Sequence, residues 1–222
     1  MIESLYFQYG DFFHKYIKGI MRKLSKITES IWSDMQDRSA GDTHRKEDEY
    51  IIDAIKEFIK RHKIKEYEYH INSDLSVNLN TNVSIKKDDL VDGKLPFKFN
   101  EVIGTMWLSD LGLETLENAP KIVHGCFVLY QNKLKDFIGG PEVVMKNFTA
   151  NFNNSLISLD GSPKKVGGDY SICFCGGLKD IKGISPEIGG NLEITNNKIG
   201  NNFTDNDFRK YSNIKGNIIR RK

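Results

Sequence analysis

The stretch SPKKVGGDYSICFCGG, residues 162–177, holds the residue types most able to do chemistry. Gly167 with Gly168 and Gly176 with Gly177 are glycine pairs that could cradle a phosphate, and Cys173 with Cys175 form a CxC that could hold a metal. Phosphate-binding glycines follow a strand and open a helix. Here Gly167 and Gly168 precede an alternating, strand-like run, and no GxxxxGK[ST] occurs. Two adjacent thiols supply half of a four-ligand zinc set, and the third cysteine, Cys126, lies far upstream. Neither a metal site nor a disulfide is expected. The five histidines, His14, His44, His62, His70 and His124, stand at no ligand spacing and beside no nucleophile. Asp88 and Asp89 read as a solvated loop rather than a carboxylate dyad. No catalytic residue, metal or cofactor is assigned, and the chain is expected not to be an enzyme.

The same stretch is one period of something longer. Pro96, Pro120, Pro141, Pro163 and Pro186 are separated by 24, 21, 22 and 23 residues. Val123, Val144 and Val166 fall three residues after their prolines, and Phe127, Phe148 and Tyr170 fall seven after. Leu129, Ala150 and Ile172 fall nine after, and Pro96 and Pro186 open longer and shorter versions of the pattern. The unit is PxxVxGxFxLxxNxLxxLxGxP. Apolar residues two apart point to one side of a short strand, so each unit has an inward stripe that it cannot bury alone. Stacked units would form a solenoid with a parallel sheet along one wall. Met106, Phe127, Phe148, Tyr170 and Leu192 should share one dry column. Gly104, Gly125, Gly168 and Gly190 should sit at a bend just ahead of the strand. Cys175 takes the place held by Asn132 and Asn153 in the preceding units, so it is expected to satisfy backbone groups at a bend. Lys146 in place of a glycine and the small Ala150 mark the third unit as the weakest.

Three segments follow from this: a helical leader and polar linker over 1–48, a helix and strand cap over 49–95, and the solenoid over 96–222. In the leader, Phe13, Ile17, Ile20, Met21, Leu24, Ile27, Ile31 and Met35 recur at the helical period with Lys15, Lys18, Arg22 and Lys26 opposite. Such a helix can pack on its own solenoid, on a second copy or on a partner, and the weak segregation of aromatic and cationic residues disfavours a membrane surface. Residues 36–48 are a candidate linker. Ile51, Ile55, Phe58 and Ile59 predict an amphipathic helix, and YEYHINSDLSVNL alternates as strands do. Val83, Ile85, Leu90 and Leu95 suggest an irregular first turn. NIKGNII near the end echoes EIGGNLEI and predicts a degenerate last turn, entered through a short helix around residues 205–211. With 39% hydrophobic and 28% charged residues and a net charge of +2, the chain fits a globular class without a nucleic-acid-like balance. An odd count of three cysteines points to a reducing compartment. The opening MIESLYFQYGDFF lacks the regions of a secretory signal.

The unit's LxxNxL and the segments LPFKFNEVIGTMWLSDLGLETLENAP and SLDGSPKKVGGDYSI resemble short leucine-rich-repeat-type proteins of tailed phages, which iterate a unit close to PxxVGGDFxCSxNxLTSLEGxP. The likeness covers residues 95–195. ITESIWSDMQDRSAGDTHRKED resembles a leader that precedes varied phage proteins. The resemblance implies an α+β, leucine-rich-repeat-like solenoid serving as an interaction scaffold in the host cytoplasm or the virion. Its partner would be another protein, of the host or the particle, with self-association through the N-terminal helix as a further possibility and no nucleic acid.

Outward-facing strand residues define the candidate binding wall. They are Thr105, Trp107 and Ser109; Val128 and Tyr130 beside Cys126; Asn147, Thr149 and Asn151; Asp169 and Ser171 beside Cys173; and Glu193. Trp107, Val128 and Tyr130 on adjacent turns are the expected anchor, unless a cap covers them. The competing reading is a virion structural protein docked by its leader.

Overall fold

A computed structural model describes residues 40–220, with side chains from residue 48. The chain divides into two compact units, Met1–Phe58 and Ile59–Lys222. The leader stripe from Phe13 to Met35 lies outside the described residues. Helix α1 (Ala40–Arg61) begins within the stretch expected to be a linker, so residues 40–48 are helical instead. Its apolar positions obey the 3.6-residue period, and Ile55, Phe58 and Ile59 are buried while Asp53, Lys56 and Lys60 face water. Lys60 and Arg61 place positive charge on its C-terminal turn, where the helix dipole favours it.

The second unit is a solenoid-like repeat, and each turn contributes two short strands rather than one. Hairpin strands β1 (Tyr69–Ile71) and β2 (Val77–Leu79) are antiparallel. The strands that follow are β3 (Val83–Ser84), β4 (Phe99–Val102), β5 (Met106–Trp107), β6 (Ile122–Val123), β7 (Phe127–Val128), β8 (Val143–Val144) and β9 (Phe148–Thr149). After them come β10 (Lys165–Val166), β11 (Tyr170–Ser171), β12 (Glu187–Ile188), β13 (Leu192–Glu193), β14 (Asn213–Ile214) and β15 (Ile218–Ile219). The even-numbered strands and β1 make an eight-stranded sheet, and the odd-numbered strands from β3 onward make a seven-stranded sheet. Apart from β1, every pairing is parallel. The expected single wall is therefore half of the answer. The valine of each unit makes the second sheet, while the phenylalanine position makes the sheet foreseen.

Apart from one register shift between β2 and β4 at Val77 and Asn78, register between turns holds position for position, which stacks like on like. Met106 pairs with Phe127, Phe127 with Phe148, Phe148 with Tyr170, and Tyr170 with Leu192. All five side chains are fully buried in one column. The Phe148 and Tyr170 rings stack with centroids 5.0 Å apart, and Phe137 from the arm meets Phe148 edge-on at 5.1 Å. The valine column, Val102, Val123, Val144, Val166, Ile188 and Ile214, lines the same interior from the other sheet. Leu134 with Phe137, Leu156 with Leu159, and Leu178 with Ile181 close it from the arms.

The glycines expected ahead of a single strand occupy the corner between the two strands. A Cβ on Gly125 would lie 2.5 Å from the Gly104 carbonyl oxygen, so neighbouring turns can approach there only without a side chain. Lys146 breaks that rule in the third unit. Its amide reaches the Gly125 oxygen at 3.3 Å, while the equivalent bonds of Gly125, Gly168, Gly190 and Gly216 span 2.9–3.0 Å. This bond is the longest of the series.

The first and last described turns differ. At the first turn, Asp89 is buried and binds Arg61 Nη1 at 2.5 Å, His62 Nε2 at 2.9 Å and the Lys86 amide at 2.8 Å. It is thus an anchored carboxylate and not the solvated loop residue the sequence suggests. Burial pushes its carboxyl up, but the His62 contact, the Lys86 amide and the Arg61 guanidinium outweigh burial and hold it below the ordinary range. At the last turn, α2 (Lys198–Asn202) and α3 (Asp205–Tyr211) replace the usual arm. Thr204 and Asp207 form a capping box that starts α3. Arg209 on α3 then donates to the carbonyls of Ile214 at 2.5 Å and Gly216 at 3.0 Å. These oxygens correspond to those of Ile188 and Gly190, which accept the amides of Lys215 and Gly216 from the following turn. Its guanidinium therefore makes to this turn the contacts that the amides of Lys215 and Gly216 make to the turn before.

Candidate interaction surface

The seven-stranded sheet presents Ser84, Trp107, Val128, Thr149, Ser171, Glu193 and Ile219 outward in one register. Trp107 is 38% exposed, and Val128 beside it is half-buried. Thr149 and Glu193 are also half-buried. Ser171 is buried and donates to Asn151 Oδ1 at 2.9 Å, so the wall is closed at its middle. Cys173, expected to face out, is likewise buried, and its amide donates to the same Asn151 oxygen at 2.7 Å. Ser109 is half-buried at the far margin of the first strand, while Tyr130 is 38% exposed.

Three of the expected wall residues are occupied at the corner. The Cys126 amide donates to Thr105 Oγ1 at 3.1 Å, the Asp169 amide to Asn147 Oδ1 at 3.0 Å, and the Asn191 amide to Asp169 Oδ1 at 2.6 Å. The series extends to both ends: Asn82 Oδ1 accepts from the Thr105 amide and Asn191 Oδ1 from the Asn217 amide. Each side chain caps the amide of the next turn where the sheet bond is interrupted. Their polarity serves the stacking, which leaves Trp107, Val128 and Tyr130, with Ser109, Thr149 and Glu193, as the part of the wall without such a role.

A second ladder runs through the interior. Asn132 Nδ2 donates to the Leu108 carbonyl at 2.6 Å, and its Oδ1 accepts from the Leu111 and Leu113 amides at 3.2 and 3.1 Å. Asn153 Nδ2 donates to the Leu129 carbonyl at 2.8 Å, and its Oδ1 accepts from the Asn132 amide at 3.2 Å. In the next turn Cys175 Sγ donates to the Ala150 carbonyl at 3.2 Å, and the Cys175 amide donates to Asn197 Oδ1 at 2.6 Å. Asn197 Nδ2 in turn donates to the Ile172 carbonyl. Cys175 is therefore structural, as its repeat position implies. Burial pushes its thiol up to about 12, which keeps it protonated and far from nucleophilic. All three cysteines are free. Among the described residues, no group of three His, Cys, Asp or Glu side chains could hold a metal ion.

An aromatic stripe was not foreseen. The ring of Phe152 lies 5.0 Å from that of Tyr130 and stacks on Phe174 at 4.4 Å with an interplanar angle of 8°. Phe152 and Phe174 stand just before the Asn or Cys of the inner ladder, where the backbone φ is +62° and +58°. The same left-handed step recurs at Asp110, Gln131 and Asn196, so the chain turns there whatever the side chain. The signal in the sequence was the aromatic pair at one repeat position, hidden by Gln131 in the turn before. With Trp107 and Tyr130, the stripe makes the outer margin of this sheet aromatic over consecutive turns.

Just past strands β4 and β8 of the eight-stranded sheet, Ile103 and Met145 are 51% and 47% exposed. Between them in the repeat lies His124, whose Nε2 is 2.6 Å from Glu101 Oε1. Among the described residues, no helix is long and apolar enough to cross a membrane. Comparison with family models, with curated proteins and with solved structures returns no match for this chain.

Proposed function

We propose that the chain is a non-enzymatic protein-interaction module that binds through the outer face of the seven-stranded sheet. The observation that carries this reading is the exposure of Trp107 and Tyr130 on adjacent turns, at 38% each, with half-buried Val128 between them. Aromatic side chains of this kind anchor interfaces, because they bury large areas at low entropic cost. Thr105, Asn147, Asn151 and Asp169 are tied into the stacking. Thr149, Glu193 and the margin residue Ser109 would supply the rim. We also propose that the solenoid is of the leucine-rich-repeat kind, which the inner Asn and Cys ladder supports, since that family places asparagine or cysteine where Asn132, Asn153 and Cys175 stand.

The test is capture by immobilised protein from the cells that make it, comparing the full chain with the double variant Trp107→Ala and Tyr130→Ala. Loss of the captured partner at an unchanged melting temperature is the expected result. A melting temperature that falls together with capture would show that the rings hold the fold and would remove the reading.

A further inference from the structure

The outer face of the seven-stranded sheet carries charge of one sign. Between Thr105 and Asn196, its outward positions and the left-handed positions at its margin hold Asp110, Asp169 and Glu193 and, among the described residues, no Lys or Arg. Asp169 accepts the Asn191 amide, and none of the three carboxylates has an ion pair among the described residues. The eight-stranded sheet pairs its charges instead, as Glu142 does with Lys164. Lys133, Lys146 and Lys198 lie beyond the face, past the inner ladder or at the corner between the sheets.

The aromatic stripe runs between these carboxylates. Trp107, Tyr130, Phe152 and Phe174 stand on four consecutive turns and step from the strand to the margin. The Asp110 amide donates to the Tyr130 carbonyl at 2.9 Å, which sets Asp110 on one flank near the Trp107 end. Glu193 stands on the opposite flank, one turn beyond Phe174. Three strand spacings make the stripe about 14 Å long, the rise of about ten helical residues. Backbone groups of the face are spent between turns: the Leu129 and Gln131 amides donate to the Thr149 and Asn151 carbonyls, and the Phe152 amide to that of Cys173. An extended peptide laid on the face would find no partner for its amides and carbonyls there, whereas a helix pairs them internally. Phe152 and Phe174 cover each other's ring faces, so they present ring edges rather than a stacking platform for bases or sugars. The carboxylates also disfavour a nucleic acid, an anionic membrane and the same face of a second copy.

We propose that this face takes a basic amphipathic helix of a partner protein. Its apolar side lies on the stripe from Trp107 to Phe174, and its Lys or Arg side chains reach Asp110 on one flank and Asp169 and Glu193 on the other. This rests on the reading of Trp107 and Tyr130 as interface anchors.

The probe is a labelled peptide of roughly 14 residues, leucine and lysine with leucine at the helical period, long enough to cover the stripe. Its controls are a leucine–glutamate peptide of the same pattern and a leucine–lysine peptide whose order breaks the period. Fluorescence anisotropy with the full chain should show the periodic lysine peptide binding about tenfold more tightly than either control. Asp110→Asn keeps a left-handed step that asparagine tolerates. Combined with Glu193→Gln, it should weaken binding about fivefold at low salt and leave the melting temperature unchanged. Trp107→Ala with Tyr130→Ala should abolish binding. Equal binding of the lysine and glutamate peptides, lost with the rings, would overturn the basic helix and leave the interaction reading standing. Binding indifferent to the rings would overturn both. Equal binding of the aperiodic peptide, or no binding by any peptide, would also overturn the helix. So would an oligomer that forms without peptide and is broken by the ring variant, which would give the face to a second copy. If the ring variant does not fold, the charge variant and the two control peptides decide.

Discussion

The inner ladder of Asn132, Asn153, Cys175 and Asn197 and the corner ladder of Asn82, Thr105, Asn147, Asp169 and Asn191 perform one operation with the same kinds of atoms. In both, a side chain takes up backbone groups of a neighbouring turn. They differ in access to water. Asn132, Asn153, Cys175 and Asn197 are buried, so every amide and carbonyl they serve would otherwise be left unpaired in the core. The corner side chains are half-buried or exposed, and water can replace them. The consequence is visible in composition: from the second unit onward the interior position is Asn or Cys, with Leu111 in the first, while the corner accepts Asn, Thr, Asp and, at Cys126, a residue with no side-chain oxygen.

The comparison can be broken most forcefully at Asn153. Asn153→Ala strands the Leu129 carbonyl and the Asn132 amide, and should lower unfolding free energy by about 3 kcal/mol in urea titration. A loss no larger than at the corner would mean that burial is not what separates the ladders. Asp89 extends the comparison to a buried charge. Asp89→Asn should cost about 2 kcal/mol near neutral pH, less than for a wholly enclosed pair, because Arg61 is partly exposed to water. The native carboxyl lies below its ordinary value, so its contribution is complete above about pH 4 and is lost as pH falls through the native value. Thermal unfolding in acid should therefore bring wild type and Asp89→Asn together. A gap that stays constant into acid would remove the ionic account. Lys146→Gly addresses spacing rather than polarity. It should let the third unit close to the distance of its neighbours, seen as slower exchange of the residue-146 amide, with stability changing by less than about 1 kcal/mol as relief offsets glycine's entropy. Smallest of all, Asn147→Ala should cost about 0.5 kcal/mol, since the Asp169 amide it releases can bond water.

Much of this was legible in the sequence because stacking forces like residues onto like. The proline spacing and the Val, Phe and Leu positions were enough to place Met106, Phe127, Phe148, Tyr170 and Leu192 in one column. The second sheet escaped because each unit shows one apolar position there, Val123, Val144 or Val166, whereas the foreseen sheet shows two at alternate positions, such as Phe127 with Leu129. Residues 40–48 read as a linker because their helix carries no apolar stripe of its own. Asp89 read as solvated because its partners, Arg61 and His62, lie 28 and 27 residues away. Thr105, Asn147 and Asp169 read as wall residues because alternation tells which way a side chain points but not what it meets. The site is accordingly less legible than the fold: Trp107, Val128 and Tyr130 keep the outward character assigned to them, and Phe152 and Phe174 join them only once the left-handed step is seen.

Position-for-position register makes one turn an exchangeable part. Excising residues 141–162 would join the second unit to the fourth with each interior position still meeting its equivalent, and would shorten the outer face by one strand spacing, about 4.8 Å. The reach of this surface can therefore be changed in whole steps, by gain or loss of complete segments.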